Sequence, residues 1–167
     1  ALAEARTACM LGHPNIVTVF DFESDGTFAY LVMEYVDGLN RQKAMYPMNY
    51  IKLRFLENHD QARVCSLVHT DEQLAMWTAF SYFLKGPVLL YAGQEYKVAA
   101  RTNVTGPDAF PREEAPWLCG LLRRLRAVKK LPIATKGAFF LEKPAQDSLL
   151  VGRYEWGDEM LLGAFNF

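Results

Sequence analysis

The residues with the clearest chemical potential lie in two short polar segments, each of which directly follows an apolar run. Asn58-His59-Asp60 follows Phe55-Leu56-Glu57, and Gly93-Gln94-Glu95 follows the apolar run 88–92. The first segment offers an amide, an imidazole and a carboxylate, and the second adds another amide and another carboxylate. Parallel α/β folds build their sites from polar groups at the carboxyl ends of strands. Both segments are therefore candidate parts of a site.

The sequence predicts that a strand, a helix and a second strand position these segments. Residues 50–56 alternate between apolar and charged side chains and become continuously apolar at their end, which predicts the first strand. Thr70 with Gln73 is typical of a capping box that starts a helix. Gly86-Pro87 ends this helix, and residues 88–92 then predict a short buried strand. Such a unit favours a right-handed parallel crossover. Because successive parallel strands end on the same rim, Asp60 and Glu95 are predicted to face one crevice. From spacing alone, the alternative that Asn58-His59-Asp60 merely forms a capped turn stays open.

Two motifs in order carry a specific resemblance. FLENHDQARV, followed by FLKGPVLLYAGQEY, resembles the seventh strand, seventh helix and eighth strand of the α-amylase family of glycoside hydrolases. The similarity continues through LCGLLRRLRAVKKLPIATKGAFF, like the last helix of that family's barrel, and LLVGRY…LLGAFNF, like the start of its C-terminal β domain. The resemblance implies a barrel fragment from an enzyme that acts on α-glucans.

The resemblance also assigns roles to individual residues. Asp60 matches the family's transition-state-stabilising aspartate, His59 matches a histidine that contacts sugar hydroxyls, and Asn58 would orient the pair. A fixed carboxylate stabilises an oxocarbenium-like transition state, and hydrogen bonds to ring hydroxyls add to that effect. Gln94 and Glu95 would lie beside them as structural or rim residues.

Other parts of the catalytic machinery have no counterpart. Glycoside hydrolysis uses a nucleophile and a general acid, which this family takes from earlier strands, and nothing in residues 1–49 resembles them. We therefore expect a fragment that keeps one α-glucan subsite and is inactive alone. The segment 101–117 matches the family only loosely.

The first forty residues resemble a different family. EARTACMLGHPNIVTVFDFESDGTFAYLVMEYVDGLN is similar to a serine/threonine protein kinase from the αC helix to the hinge. Glu4 would match the αC glutamate, Met33 the gatekeeper, and Glu34 and Val36 the hinge. The glycine-rich loop, the ATP-positioning lysine and both catalytic aspartates lack counterparts. A packing role is therefore favoured over nucleotide binding, and the chain is interpreted as a chimera joined between residues 40 and 45.

The expected fold class is α/β, with three segments. Residues 1–40 are a kinase-like piece made of a helix over 2–11 and a hairpin with strands 16–20 and 28–36. Residues 41–137 are a partial (β/α) barrel-like strand–helix–strand segment, followed by a loop over 97–114 and a helix that starts at Pro116. Residues 138–167 are predicted to form a separate antiparallel tail.

Composition and charge limit the classes of binding partner that we expect. The 167 residues carry a net charge of −1, which gives no electrostatic footprint for nucleic acid or an anionic membrane. The basic residues of segment 123–130 are interpreted as a solvated helix end. Scattered Cys9, Cys65 and Cys119 indicate reduced thiols and a cytoplasmic location. No cofactor and no metal site are expected. The expected partners are an α-glucan ligand and, through open sheet edges, other copies of the chain.

Overall fold

A computed structural model describes residues 19–24, 29–33, 51–107, 109, 110, 112, 115–142 and 148–167. The chain divides into two compact units, Ala1–Tyr50 and Ile51–Phe167. The predicted helix over 2–11 lies outside the described residues. The boundaries predicted at 40 and 137 stay predictions.

The first unit contains the predicted hairpin. Strands β1 (Val19–Ser24) and β2 (Ala29–Met33) pair antiparallel, with Ser24 opposite Ala29 and an irregularity between Val19 and Asp21. The prediction that the first strand ends at residue 20 was wrong, because β1 continues through a polar stretch to Ser24. Backbone hydrogen bonds define a ladder, and residues of low strand propensity can join it.

The second unit contains the helix that the capping signal predicts. After a 3₁₀ turn (Val64–Ser66), α1 spans Asp71–Phe83, and the Thr70 hydroxyl accepts a hydrogen bond from the Gln73 backbone N–H. The Gln73 side chain accepts from the His69 backbone N–H at 2.8 Å, one residue earlier than in a standard capping box. The helix therefore begins where the sequence places it.

The predicted parallel strands are reduced to one bridge. Arg54 pairs with Val88 in parallel, through hydrogen bonds from Arg54 N to Pro87 O and from Leu89 N to Arg54 O, both 2.8 Å. The prediction that segment 88–92 is buried was wrong, because Leu89 and Leu90 are 36% and 40% exposed. No further strand pairs with this bridge within the described residues, so little apolar surface covers these side chains.

The apolar core of the second unit lies between α1 and a later helix. Helix α2 (Pro116–Lys129) begins with proline in its first turn, as predicted, and is followed by the short α3 (Pro132–Lys136). Leu118 and Leu122 of α2 belong to a buried cluster. The other buried members of this cluster are Val64, Leu74 and Ala115.

The C-terminal residues form the predicted antiparallel sheet. Strands β3 (Ala138–Glu142), β4 (Leu149–Trp156) and β5 (Glu159–Asn166) lie in the order β3-β4-β5. Together with the bridge and the helices, the sheet gives the α/β architecture expected for an amylase-like fragment.

The sheet is not a separate tail, contrary to the prediction. The Phe83 ring lies 5.4 Å from Tyr154 and 5.3 Å from Phe165, measured between ring centroids. The Tyr154 hydroxyl donates to the Phe83 carbonyl at 2.8 Å. A Cβ atom at Gly152 would lie 2.5 Å from the Phe83 ring. The glycine therefore leaves the space that lets the end of α1 pack on the sheet.

The basic segment at the end of α2 is only partly solvated. The Lys129 Nζ donates to the carbonyl of Leu84, the residue that caps α1. Burial, with a smaller contribution from the charge of Arg54, lowers the pKa of Lys129 to about 8. The prediction of a solvated helix end was wrong for this residue, because its ammonium group caps a neighbouring helix.

Stability should therefore rise with pH in an alkaline window. The pKa of Lys129 is about 8 in the folded chain against an ordinary 10.5, so the unfolded state binds more protons between these values. Burial raises the pKa of Tyr154 above its ordinary 10.0, which lowers stability as pH rises past that value. Urea titrations from about pH 7.5 to 9.5 should show the rise, to which the lowered pKa of Lys52 adds and which the raised pKa of Cys65 opposes. Lys129→Met should reduce the rise. Lys130→Met, at an exposed neighbour, should keep it; equal flattening in both variants would contradict the assignment.

Candidate functional site

The first predicted site segment forms a tight turn. The Asn58 Oδ1 accepts hydrogen bonds from the backbone N–H groups of Asp60 and Gln61, both at 3.0 Å. Asn58 therefore makes the capped turn that spacing left open as an alternative. The His59 Nε2 lies 3.3 Å from the Asp60 Oδ2, and these side chains are 58% and 75% exposed. The turn thus presents an imidazole and a carboxylate side by side to solvent.

A buried ion pair lies under this turn. Glu57 is fully buried and Arg63 is 2% exposed, with 2.7 Å between the Arg63 Nη1 and the Glu57 Oε1. The other carboxylate oxygen of Glu57 accepts from the Val64 backbone N–H at 2.7 Å. The sequence analysis did not identify this pair. Its only signal was two opposite charges that flank the Asn58-His59-Asp60 motif.

The segment 91–102 contacts the turn through side-chain hydrogen bonds. Arg63 donates to the carbonyl of Ala92 at 2.9 Å and to that of Ala100 at 3.3 Å. The Arg101 Nη2 donates to the Asp60 carbonyl at 3.0 Å. The guanidinium of Arg63 also lies 4.5 Å from the centroid of the Tyr91 ring. These contacts join residues that flank Gly93-Gln94-Glu95 to Arg63 and to the Asp60 backbone. That Asp60 and Glu95 face one crevice stays a prediction.

The second segment, Gly93-Gln94-Glu95, has local structural roles. Gly93 has φ of +96°, which favours glycine, and a Cβ there would lie 3.3 Å from the Arg63 Nη2. Gln94 is 3% exposed, and its Oε1 has no hydrogen-bond partner among the described residues. Glu95 accepts from the Gly93 backbone N–H at 2.9 Å. Gln94 therefore lies in the interior, not on an exposed rim.

The other predicted positions add little to this site. Glu4, Glu34 and Val36 lie outside the described residues, and Met33 is the last residue of β2, opposite Val19. Across the described ranges, no three His, Cys, Asp or Glu side chains lie together in an arrangement that could hold a metal ion. No helix in that part of the chain has the length and apolar character needed to cross a membrane.

Two bacterial kinases share a short stretch with the chain. Serine/threonine-protein kinase PrkC of Bacillus subtilis and serine/threonine-protein kinase Pkn1 of Myxococcus xanthus are each 47% identical to it over 36 residues. That stretch is 22% of the chain and only 6% and 5% of the two kinases. The similarity is local.

Solved structures match most of the chain. A noncanonic maltogenic alpha-amylase, AmyB from Thermotoga neapolitana, is 32% identical with a TM-score of 0.74, and the match covers 80% of this chain. An alpha-amylase from Lactobacillus plantarum is 29% identical with a TM-score of 0.70, over 78% of the chain. The cyclic alpha-maltosyl-(1→6)-maltose hydrolase of Arthrobacter globiformis, at 22% identity and a TM-score of 0.67, shares the fold. This chain spans about a third of those proteins, 32%, 31% and 31% of their lengths.

A protein-family model also matches the sequence. The model described as alpha amylase, catalytic domain, matches residues 16–120, which include the Asn58-His59-Asp60 turn, α1 and the start of α2. The match begins within the stretch that also resembles the kinases. On this match, the chain belongs to the α-amylase catalytic-domain family of glycoside hydrolases.

Proposed function

We propose that the second unit carries one sugar-binding subsite of an α-glucan hydrolase, formed by His59 and Asp60. The observation that carries this proposal is the exposed His59–Asp60 pair, held on a turn that the buried Glu57–Arg63 pair supports. The substrate class comes from the family and from the maltogenic activity that the name of the 32% identical alpha-amylase states.

The proposed chemistry follows from the two exposed groups. Asp60 supplies a carboxylate that stabilises positive charge on an oxocarbenium-like transition state, and His59 binds sugar hydroxyls beside it. Asn58 contributes indirectly, since its amide oxygen accepts the N–H of Asp60 and fixes the turn. Asp60 is 75% exposed, so a ligand can reach its carboxylate.

We further propose that the unit binds sugar without hydrolysing it. Hydrolysis needs a second carboxylate in a defined position relative to the first. Glu57 is fully buried against Arg63, and Glu95 accepts a hydrogen bond from the Gly93 backbone. Glu57 and Glu95, the glutamates that adjoin or belong to the two polar segments, thus have structural roles among the described residues, which supports a binding role.

Thermal unfolding with and without maltohexaose tests the subsite. At a sugar concentration of about 100 Kd, binding should stabilise the native state by about 2.7 kcal/mol and raise Tm by roughly 5–10 °C. Asp60→Asn should remove most of that shift, because the sugar loses a charged acceptor. Asp158→Asn, in an exposed turn, should keep the shift. A wild-type Tm that does not change with maltohexaose would refute the subsite, and release of reducing sugar would refute the binding-only role.

A second candidate, a non-enzymatic interaction module, rests on the sheet. In the three-stranded sheet β3 and β5 are the outer strands, and on β5 Met160 and Leu162 are 57% and 61% exposed. Open edges and exposed apolar side chains favour pairing with another copy of the chain. Multi-angle light scattering separates the candidates: a stable oligomer supports this one, and a clean monomer counts against it.

The kinase-like stretch supports a proposal about how this chain arose. We propose that the chain joins a kinase-derived piece to an amylase-derived one, supported by the two short kinase matches. Such a piece, lacking the phosphate-binding parts of a kinase, is expected to bind no nucleotide. ATP therefore serves as a negative control ligand in the unfolding experiment, and a Tm shift with ATP would contradict this proposal.

A further inference from the structure

We propose that Arg101 is a sugar-binding residue of the same subsite and that it donates hydrogen bonds to the hydroxyl groups of an α-glucan. This inference rests on the proposed function, because it extends the His59–Asp60 subsite by a third side chain. Arg101 lies in the segment that resembles the amylase family only loosely. It would thus be a feature of this chain's own loop.

The position of Arg101 is the first observation. Its Nη2 donates to the backbone carbonyl of Asp60 at 3.0 Å, while the residue as a whole stays exposed. The guanidinium therefore lies directly beside the residue whose carboxylate is proposed to meet the sugar. A guanidinium has five N–H donors in a fixed plane, and the hydrogen bond to Asp60 uses one of them. The exposed guanidinium thus keeps further donors for a ligand.

The second observation is that the loop carrying Arg101 is held on both sides of this residue. The Ala100 carbonyl accepts from the buried Arg63, and the Thr102 hydroxyl accepts from Tyr91 at 3.1 Å. Earlier in the loop, Lys97 has φ of +58° and forms an ion pair with Asp71 at the start of α1. A loop fixed in this way presents its side chain at a smaller entropic cost than a mobile one.

The Asp60 carboxylate and the Arg101 guanidinium have complementary hydrogen-bonding roles. The Asp60 carboxylate accepts hydrogen bonds, whereas the Arg101 guanidinium only donates them. Sugar hydroxyls do both, so one glucan can donate to the carboxylate and accept from the guanidinium. Hydrogen bonds to a charged donor are stronger than those between neutral groups. A neutral glucan therefore fits a site that carries both signs of charge.

The test compares maltohexaose affinities measured by titration calorimetry on the whole chain. Arg101→Met should weaken binding about tenfold, in line with the loss of a charged hydrogen bond, and Arg101→Lys should weaken it less. Arg123→Met, at an exposed position of α2, is the matched control and should leave the affinity unchanged. Because Arg101 is exposed, its replacement should not alter Tm without sugar.

The outcomes separate this inference from the proposed function. If Asp60→Asn weakens binding but Arg101→Met stays within twofold of the wild type, the subsite stands and the role of Arg101 is refuted. If the wild-type chain binds no maltohexaose, both are refuted. Inorganic phosphate is the competing ligand: loss of phosphate binding in Arg101→Met with sugar binding intact would assign Arg101 to anions and overturn the inference.

Discussion

Replacing Arg63 with methionine should lower the free energy of unfolding by about 3–5 kcal/mol, the usual cost of breaking a buried ion pair from one side. Arg63 is 2% exposed and Glu57 is fully buried, so the substitution leaves a carboxylate without its counter-ion. The carbonyls of Ala92 and Ala100 also lose a donor. Urea denaturation followed by circular dichroism measures the loss.

A double variant separates the ion pair from the rest of the packing. Replacing both partners by apolar residues of similar size, as in Glu57→Leu with Arg63→Met, often restores stability because no unpaired charge remains. We expect the double variant to be more stable than Arg63→Met alone. A loss below about 1 kcal/mol in Arg63→Met would place the pair in the range of exposed ion pairs and contradict its burial.

The helices could be predicted because their signals are local. The Thr70 cap and the proline at residue 116 each act on the backbone within one turn. No distant residue has to be known to interpret such a signal. The position of the Asn58 turn could be predicted for the same reason, since its hydrogen bonds reach only two and three residues ahead.

The groups that support the turn could not be predicted, because their environment is created by distant residues. Charged side chains are rarely fully buried, so Glu57 and Arg63 would be placed at the surface on residue type alone. Arg63 is buried because it donates to the carbonyl of Ala100, thirty-seven residues away in sequence. Lys129 likewise reaches the carbonyl of Leu84, forty-five residues earlier.

The parallel pairing of the two segments could be predicted only in part. Its direction follows from the order of elements, and the Arg54–Val88 bridge has the predicted parallel orientation. Its extent depends on neighbouring strands, which a strand's own composition does not reveal. Leu89 and Leu90 have the composition of a buried strand, yet they remain more than a third exposed.

The packing partner of α1 could not be predicted from the helix itself. Apolar spacing identifies which side chains of a helix are buried, and Phe80 and Phe83 are buried here. Spacing does not say which element buries them. The Phe80 ring lies 5.1 Å from that of Phe165 on β5, so the sheet covers this part of the helix.

Replacing Phe83 with alanine should lower the free energy of unfolding by about 3–5 kcal/mol, the usual range for a large aromatic side chain in a core. The ring contacts Phe139, Tyr154 and Phe165, with centroid distances of 6.3, 5.4 and 5.3 Å. Gly152 and Gly163 lie against it and have no side chain that could fill the cavity. The surrounding structure can therefore collapse only slightly, which places the loss near the upper end of the range.

Phe140→Ala is the matched control, because Phe140 lies on the same strand as Phe139 but points to the other face of the sheet. It is 37% exposed, and its ring packs against the Arg153 guanidinium at 4.9 Å. Its replacement should cost no more than about 1 kcal/mol, as for contacts at exposed sites. Urea denaturation of both variants makes the comparison. Equal losses would contradict the inference that Phe83 joins α1 to the sheet, whereas a large difference would identify this aromatic cluster as the main contact between them.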